Sequence, residues 1–326
     1  MHVLIIGAAG MIGRKLVARL VTEQALNGRP VEKLTLIDVG APQKSEKFAG
    51  SVVTAAVDIA DPSGARAAVA GRPDVIFHLA AVVSGEAEVD FEKGMHVNLD
   101  GSRALIEAIR AAGEGYRPRV VFTSSIAVFG APFPEAIADD FHHTPLTSYG
   151  TQKAIAELLI SDYSRKGFVD GISVRLPTIC VRPGKPNKAA SGFFSNIIRE
   201  PLAGQEAVLP VSDDVMHWHA SPRAALGFLL HAASLDLAAV GPRRAITMPG
   251  VAVTVGGQIA ALRKVAGDAV ARRIRREPDP FLESIVAGWP RNFAPQRALE
   301  LGFTADRSFE EIIRIHIEDE LGGRIV

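Results

Sequence analysis

Val3-Leu4-Ile5-Ile6-Gly7-Ala8-Ala9-Gly10-Met11-Ile12-Gly13 is a short apolar run that breaks into three glycines spaced three apart. Leu16, Leu20 and Val21 follow at helical spacing, so the stretch reads as strand, tight turn and helix. Glycines in such a turn let the backbone come close to an anion. The helix that follows then points its free N–H groups at that anion. Gly7, Gly10, Met11, Ile12 and Gly13 therefore form a candidate pyrophosphate cradle.

Working outward, Leu34–Ile37 is a second apolar strand ending in Asp38, one crossover of about 30 residues further on, the size of a βαβ unit. Val52–Val57 runs to Asp58, and Val75–Leu79 precedes a loop over Ala80–Glu86. Asn98–Ala112 reads as a long helix with Asn98 at its head and Leu105 and Ile109 on its apolar side. Val120–Phe122 runs into Thr123-Ser124-Ser125, Tyr149–Ser164 is a further helix, and Ile172–Leu176 a further strand. Continuously apolar strands separated by helices predict an α/β fold, a doubly wound parallel sheet covered on both faces. After Arg182-Pro183-Gly184 the pattern changes. Helices near Phe193–Arg199, Pro222–Ala233, Val255–Ala266, Asp279–Ala287 and Phe309–Leu321 alternate with short extended pieces such as Ala245–Met248. The expected division is residues 1–180 as a dinucleotide-binding domain and 181–326 as a smaller, mostly helical substrate lobe, with room for a strand or helix to return to the first domain.

The 326 residues are 48% hydrophobic and 22% charged, ordinary for a globular protein, and too many for one small core. A formal net charge of +0 gives no support to nucleic acid or an anionic membrane as partner. The basic run Arg272-Arg273-Ile274-Arg275-Arg276 alternates as a solvated strand edge would. Cys180 is the sole cysteine, which leaves neither an intrachain disulfide nor a cysteine-based metal site. The start lacks a basic region and breaks early into glycine, unlike a signal peptide, and no stretch has the apolar length of a membrane span. A cytoplasmic location is the expectation.

Asp38, at a strand end, can accept both ribose hydroxyls of an adenosine and would repel a 2′-phosphate, so NAD is expected over NADP. Lys44 and Lys47 are nearby basic residues. Asp58 either borders the adenine or caps the helix that opens at Pro62. Tyr149 and Lys153, four apart, share one helix face. A lysine there favours the phenolate and makes the tyrosine a usable base. Ser125, at a strand end, can hold the same substrate oxygen. Asn98 can order a water leading to Lys153, or can simply bind backbone.

Gly7-x-x-Gly10-x-x-Gly13, His78-Leu79-Ala80-Ala81, Asn98, Thr123-Ser124-Ser125-Ile126-Ala127-Val128-Phe129-Gly130 and Tyr149-x-x-x-Lys153 occur in this order. Over the first 180 residues this resembles the extended short-chain dehydrogenase/reductase family, which includes sugar-nucleotide epimerases and dehydratases. The resemblance implies a Rossmann-type sheet, NAD as cofactor, and Ser125, Tyr149, Lys153 and Asn98 as the catalytic set. It also implies cofactor contacts from Asp58, Ile59, Leu79, Ala80, Ala81 and Pro177, and a homodimer paired through helices Asn98–Ala112 and Tyr149–Ser164.

Two departures from the nucleotide-sugar pattern narrow the substrate. Thr178 stands where that group carries an asparagine, and Ile126 where dehydratases carry an acidic residue. Leu146–Lys153, Arg182–Asn187 and Ile197–Gly204 instead resemble sugar-acid dehydrogenases of the family. That resemblance implies oxidation of the C2 hydroxyl of a small anionic sugar acid. Arg182 is the candidate carboxylate clamp, with a salt bridge at the domain junction as the alternative. Ser84, Ser125, Tyr149, Thr178, Asn187, Ser191 and His217 are the other substrate candidates, with His219 close by. His217-x-His219 puts two imidazoles on one strand face with no third ligand evident, so no metal is expected. A nucleotide-sugar 4-epimerase or reductase is the alternative function. A non-catalytic NAD-binding regulator is another, although such a protein usually loses the tyrosine or the lysine.

Overall fold

A computed structural model describes residues 1–184 and 190–325. Among them, seven strands form one sheet in the order Ala245–Thr247, Asp170–Leu176, Arg119–Ser125, Val75–His78, His2–Ile6, Lys33–Asp38, Ser51–Ala56. The pairings from Arg119–Ser125 through to Ser51–Ala56 are parallel, with Ile6 level with Ile37 on one side and His78 on the other. From His2–Ile6 the chain adds strands first to one side, then to the other. The crevice at that switch point is where open parallel sheets bind ligands. The first strand is buried almost throughout, and Leu4, Ile6, Ile37, Ile76 and Val120 pack with Leu105 and Ile109 of the Gly101–Ala111 helix.

Contacts divide the chain into two compact units that interleave along the sequence. One holds Met1–Ser125, Thr147–Arg175 and Leu226–Ile246; the other holds Ile126–Leu146, Leu176–Ala225 and Thr247–Val326. The piece expected as Ala245–Met248 in the substrate lobe is the edge strand Ala245–Thr247 of the large sheet. The second unit is rich in helices, including Gly192–Leu202, Val255–Ala266 and Phe309–Leu321. They surround Phe193, Phe194, Ile197, Leu209, Ile312 and Ile313. It also has a three-stranded sheet, ordered Thr178–Ile179, Met216–Ala220, Val251–Thr254. Of the basic run, Ile274–Arg276 is a strand paired with Ala207–Leu209, and Arg276 is ion-paired with Asp213 at 2.7 Å.

Two local expectations are corrected. The loop after Val75–His78 ends earlier than expected, because a helix begins at Ser84 and runs to Val89. Asn98 is not a helix head. The chain is already helical at Phe91–Gly94, passes through a π-helical turn at Met95–Asp100, and continues as Gly101–Ala111. The wider turn disturbs the 3.6-residue period that reveals a helix in sequence.

Candidate active site

Residues expected at the cofactor, and the catalytic candidate Ser125, lie at carboxyl ends of adjacent strands. Asp58, Asp38, Gly7, Leu79 and Ser125 follow or end five neighbouring strands in that order across the sheet. Four strand spacings of about 4.8 Å put roughly 19 Å between the outer two.

Gly7 has φ +88°, a conformation that favours glycine, and a Cβ there would come 2.6 Å from the Ala80 nitrogen. A Cβ on Gly13 would meet the Gly7 carbonyl oxygen at 2.2 Å, so this glycine lets the helix pack onto the turn. Gly10 precedes the Met11–Glu23 helix, whose first turn has neither a side-chain cap nor an acidic residue. A helix start left this way suits an anion. Asp38 is fixed toward the turn: Oδ2 accepts from the Ala9 N–H at 3.0 Å and Oδ1 from the Val39 N–H at 2.8 Å. These residues fit a dinucleotide with a free adenosine ribose. Lys44 and Lys47 are exposed.

Asp58 is not the cap of the next helix. Asp61 does that work, accepting from the Ser63 N–H at 2.8 Å, and Asp58 accepts instead from the Ala60 N–H at 2.9 Å and meets His96 at 3.3 Å. Ile59 is buried beside it, and Ala81 is exposed.

Thr147 caps the Ser148–Arg165 helix through the Gly150 N–H, and Glu88 accepts from the Ser148 N–H at 2.9 Å. Tyr149 thus starts from a doubly anchored first turn, with its side chain half-buried. One turn on, the Lys153 Nζ donates to the Thr123 carbonyl at 2.8 Å and lies 5.7 Å from the centroid of the Tyr149 ring. Thr123 is two residues before Ser125, so Lys153 ties the strand end carrying the serine to the helix carrying the tyrosine. Lys153 is only 1% exposed. Burial pushes its pKa from 10.5 down to about 7, partly offset by Glu157.

That depression has a sign that can be tested. Between about pH 7 and about pH 10.5 the unfolded chain keeps a proton that the folded chain releases, so stability rises with pH across this window. The cost of burying the lysine is greatest below pH 7. Lys153→Met is expected to stabilise the protein by about 1–4 kcal/mol near pH 6, with a gain that shrinks toward pH 10. Cofactor-free thermal or urea unfolding at several pH values measures it. An equal gain at every pH would remove the charge-burial account.

Asn98 is buried and binds backbone. Its Oδ1 accepts from the Val82 N–H at 2.9 Å, while Nδ2 donates to the Val82 carbonyl at 3.3 Å and to Gln152 Oε1 at 2.8 Å. It thereby pins the chain just after Leu79–Ala81 to the Tyr-Gly-Thr-Gln-Lys helix. Ser102 donates to the Asn98 carbonyl and lies 2.9 Å from His78 Nε2. Sequence reading missed Gln152, Glu88 and Glu157. Glu157 is one helical turn beyond Lys153, and that spacing was the available signal.

The second unit gathers other candidates. Thr178 Oγ1 is 2.7 Å from His217 Nε2, and Arg182 donates to Ser191 Oγ at 2.7 Å and to the Ile179 carbonyl at 3.0 Å. Pro177 is buried between the ends of two strands. His219 is buried, with Nε2 2.9 Å from Gln258 Nε2. Asn187 lies outside the described residues.

A family model described as the NAD dependent epimerase/dehydratase family matches residues 3–219. D-erythronate dehydrogenase of Cupriavidus necator is 51% identical over 323 residues, covering 98% of both chains. The enzyme of the same name from Haemophilus influenzae is 41% identical, covering 98% of this chain and all of its own length. A crystal structure of a protein from Agrobacterium tumefaciens, described as a nucleoside-diphosphate-sugar epimerase, superposes with a TM-score of 0.97 at 65% identity. It covers 99% of this chain and 95% of that one.

Proposed function

Because the chain belongs to the NAD dependent epimerase/dehydratase family, we propose that it is an NAD-dependent dehydrogenase that oxidises the C2 hydroxyl of a small sugar acid, D-erythronate above all. Full-length similarity to two D-erythronate dehydrogenases supports the substrate. The observation that carries the chemistry is the Lys153 bridge between the Thr123 carbonyl and the Tyr149 face of the helix.

Bound NAD would supply the hydride acceptor. Met11, Ile12 and Gly13 would offer the N–H groups of the helix start to its pyrophosphate. Gly7 and Gly10 would let the turn approach it while their own N–H groups donate to the Ile37 and Gly7 carbonyls, and Asp38 would take the adenosine ribose. Asp58 and Ile59 border the adenine. Leu79–Ala81, held through Val82 by Asn98, would line the cofactor together with Lys153, and Pro177 is a further candidate contact. Tyr149 as phenolate takes the proton of the C2 hydroxyl and Ser125 holds the same oxygen. As that proton leaves, hydride departs from C2 and the C–O bond becomes a carbonyl, giving a 2-oxo acid. The Lys153 ammonium, one helical turn from Tyr149, favours the charged form of its phenol. Arg182, oriented by Ser191 and Ile179, is the candidate for the carboxylate, and Ser84 and Asn187 for hydroxyls.

The similarity to the Agrobacterium protein favours a second reading, epimerisation or reduction of a nucleotide sugar. A panel of four- to six-carbon sugar acids and of UDP- and GDP-sugars, read by NADH formation and product analysis, decides between them. Signal confined to sugar acids is expected. Turnover of nucleotide sugars alone would overturn the reading.

Assembly as a homodimer is part of the proposal. Ile155 and Leu158 on the Ser148–Arg165 helix are 37% and 62% exposed, an apolar pair three residues apart on a face that a lone helix would make polar. Leu158→Asp should shift the protein to monomers in light scattering at micromolar concentration. An unchanged mass would place the interface elsewhere. Among the described residues no helix is long and apolar enough to cross a membrane. Dependence on a diffusible nicotinamide cofactor supports a cytoplasmic location.

A further inference from the structure

Thr178 and His217 are 39 residues apart in sequence but adjacent in space, and the hydrogen-bond directions between them are determined. His217 is buried on the Met216–Ala220 strand, with Nδ1 2.8 Å from the Pro290 carbonyl oxygen. A carbonyl only accepts, so Nδ1 carries the ring hydrogen. Burial holds the His217 pKa down at about 4, against a smaller opposing effect from the Pro290 carbonyl, so the ring is neutral at physiological pH and Nε2 is a bare lone pair. The neighbour of Nε2, at 2.7 Å, is Thr178 Oγ1, which must therefore donate. Phe194 stacks on the imidazole with ring centroids 5.2 Å apart and planes within 1°, and Trp289 packs at 5.4 Å. Stacking and the Pro290 bond hold the ring in this orientation.

A threonine hydroxyl has one proton, and here it is spent on His217. Thr178 itself is only partly buried, and a hydroxyl whose proton is committed has only lone pairs left to offer a ligand. We infer that Thr178 is an acceptor-only contact that selects a hydroxyl of the substrate other than the one oxidised, and that His217 is the positioning residue that fixes this polarity. The inference rests on the sugar-acid reading and refines it. A substrate hydroxyl donates to Thr178 and is recognised. A phosphoryl oxygen has no proton to offer and faces lone pairs. His217, expected from sequence as a substrate contact, is 3% exposed with both ring nitrogens engaged, so it acts through Thr178.

The test uses the whole enzyme with its preferred sugar acid and the monodeoxy analogues that each lack one hydroxyl beyond C2. Wild type should prefer the intact substrate over one analogue by about 10–100-fold in kcat/KM, carried mainly in KM, the range for a single lost hydrogen bond to a desolvated partner. Thr178→Ser should keep that ratio. Thr178→Val should collapse it toward one, through a loss on the intact substrate. His217→Phe keeps the stacking but cannot accept, which frees the Thr178 proton, so it should lower the ratio as well. A valine variant that retains the wild-type ratio for every analogue overturns the inference, as does a His217→Phe enzyme that retains it. If His217→Phe does not fold, the serine and valine variants decide alone. Failure of the wild type to oxidise any sugar acid would remove the underlying functional reading and this refinement together. Sugar-acid turnover with unchanged ratios would remove only the refinement.

Discussion

Tyr149→Phe should leave NAD affinity close to wild type and lower turnover by on the order of 10²–10⁴-fold, the usual contribution of a positioned acid–base group. The ring that packs in the first turn of the Ser148–Arg165 helix survives this change. So do the Thr147 cap, the Glu88 contact and the Lys153 bond to Thr123. Only the oxygen that takes the proton is lost. Fluorescence titration with NADH separates binding from chemistry, and pre-steady-state NADH formation reads the chemical step. A phenylalanine enzyme working at a tenth of the wild-type rate or better would mean that another group removes the proton.

Glu157→Gln should cost about 3–5 kcal/mol of folding stability, the typical penalty for leaving one buried charge without its partner. Arg175 approaches Glu157 with Nε at 3.0 and 3.1 Å from the two carboxylate oxygens and with Nη2 at 2.8 Å. The side chains are 8% and 1% exposed, so water cannot replace either partner. Glu157 is also the charge that raises the pKa of Lys153 against its burial. The glutamine variant should therefore lose activity as well as stability, most visibly where Lys153 needs its proton. Equilibrium urea unfolding measures the first effect. The double variant Glu157→Gln/Arg175→Met, which removes both charges, should recover much of the loss. A single-variant penalty below about 1 kcal/mol would show that the pair behaves like a solvated one.

What could be read from the sequence was local. The glycines of the turn lie within seven residues and Tyr149 and Lys153 within one helical turn, so their chemistry is written in spacing. Strand ends at Asp38 and Ser125, and the one just before Leu79, followed from apolar runs whose lengths are set by burial on both faces. The misreadings came from interactions at a distance or from irregular geometry. The π-turn at Met95–Asp100 hid the helix upstream of Asn98. Asp58 is not a misreading: its two readings, adenine edge or helix cap, stay open in sequence, and the fold removes the second by giving the cap to Asp61. No periodicity links Thr178 to His217, and nothing in Ala245–Thr247 indicates which sheet it joins. In both cases the partner is chosen by tertiary packing, to which a short extended segment carries no address.

The edge strand Ala245–Thr247 also imposes a schedule on synthesis. It is the last strand of the large sheet to leave the ribosome, and its neighbour Asp170–Leu176 is made long before it. At about 5–20 residues per second, the nascent chain displays an unpaired, apolar strand edge for roughly 4–14 s. Such an edge is a template for pairing with other chains. Between the synthesis of Leu176 and that of Thr247, protection of that edge has to come from something other than its native neighbour.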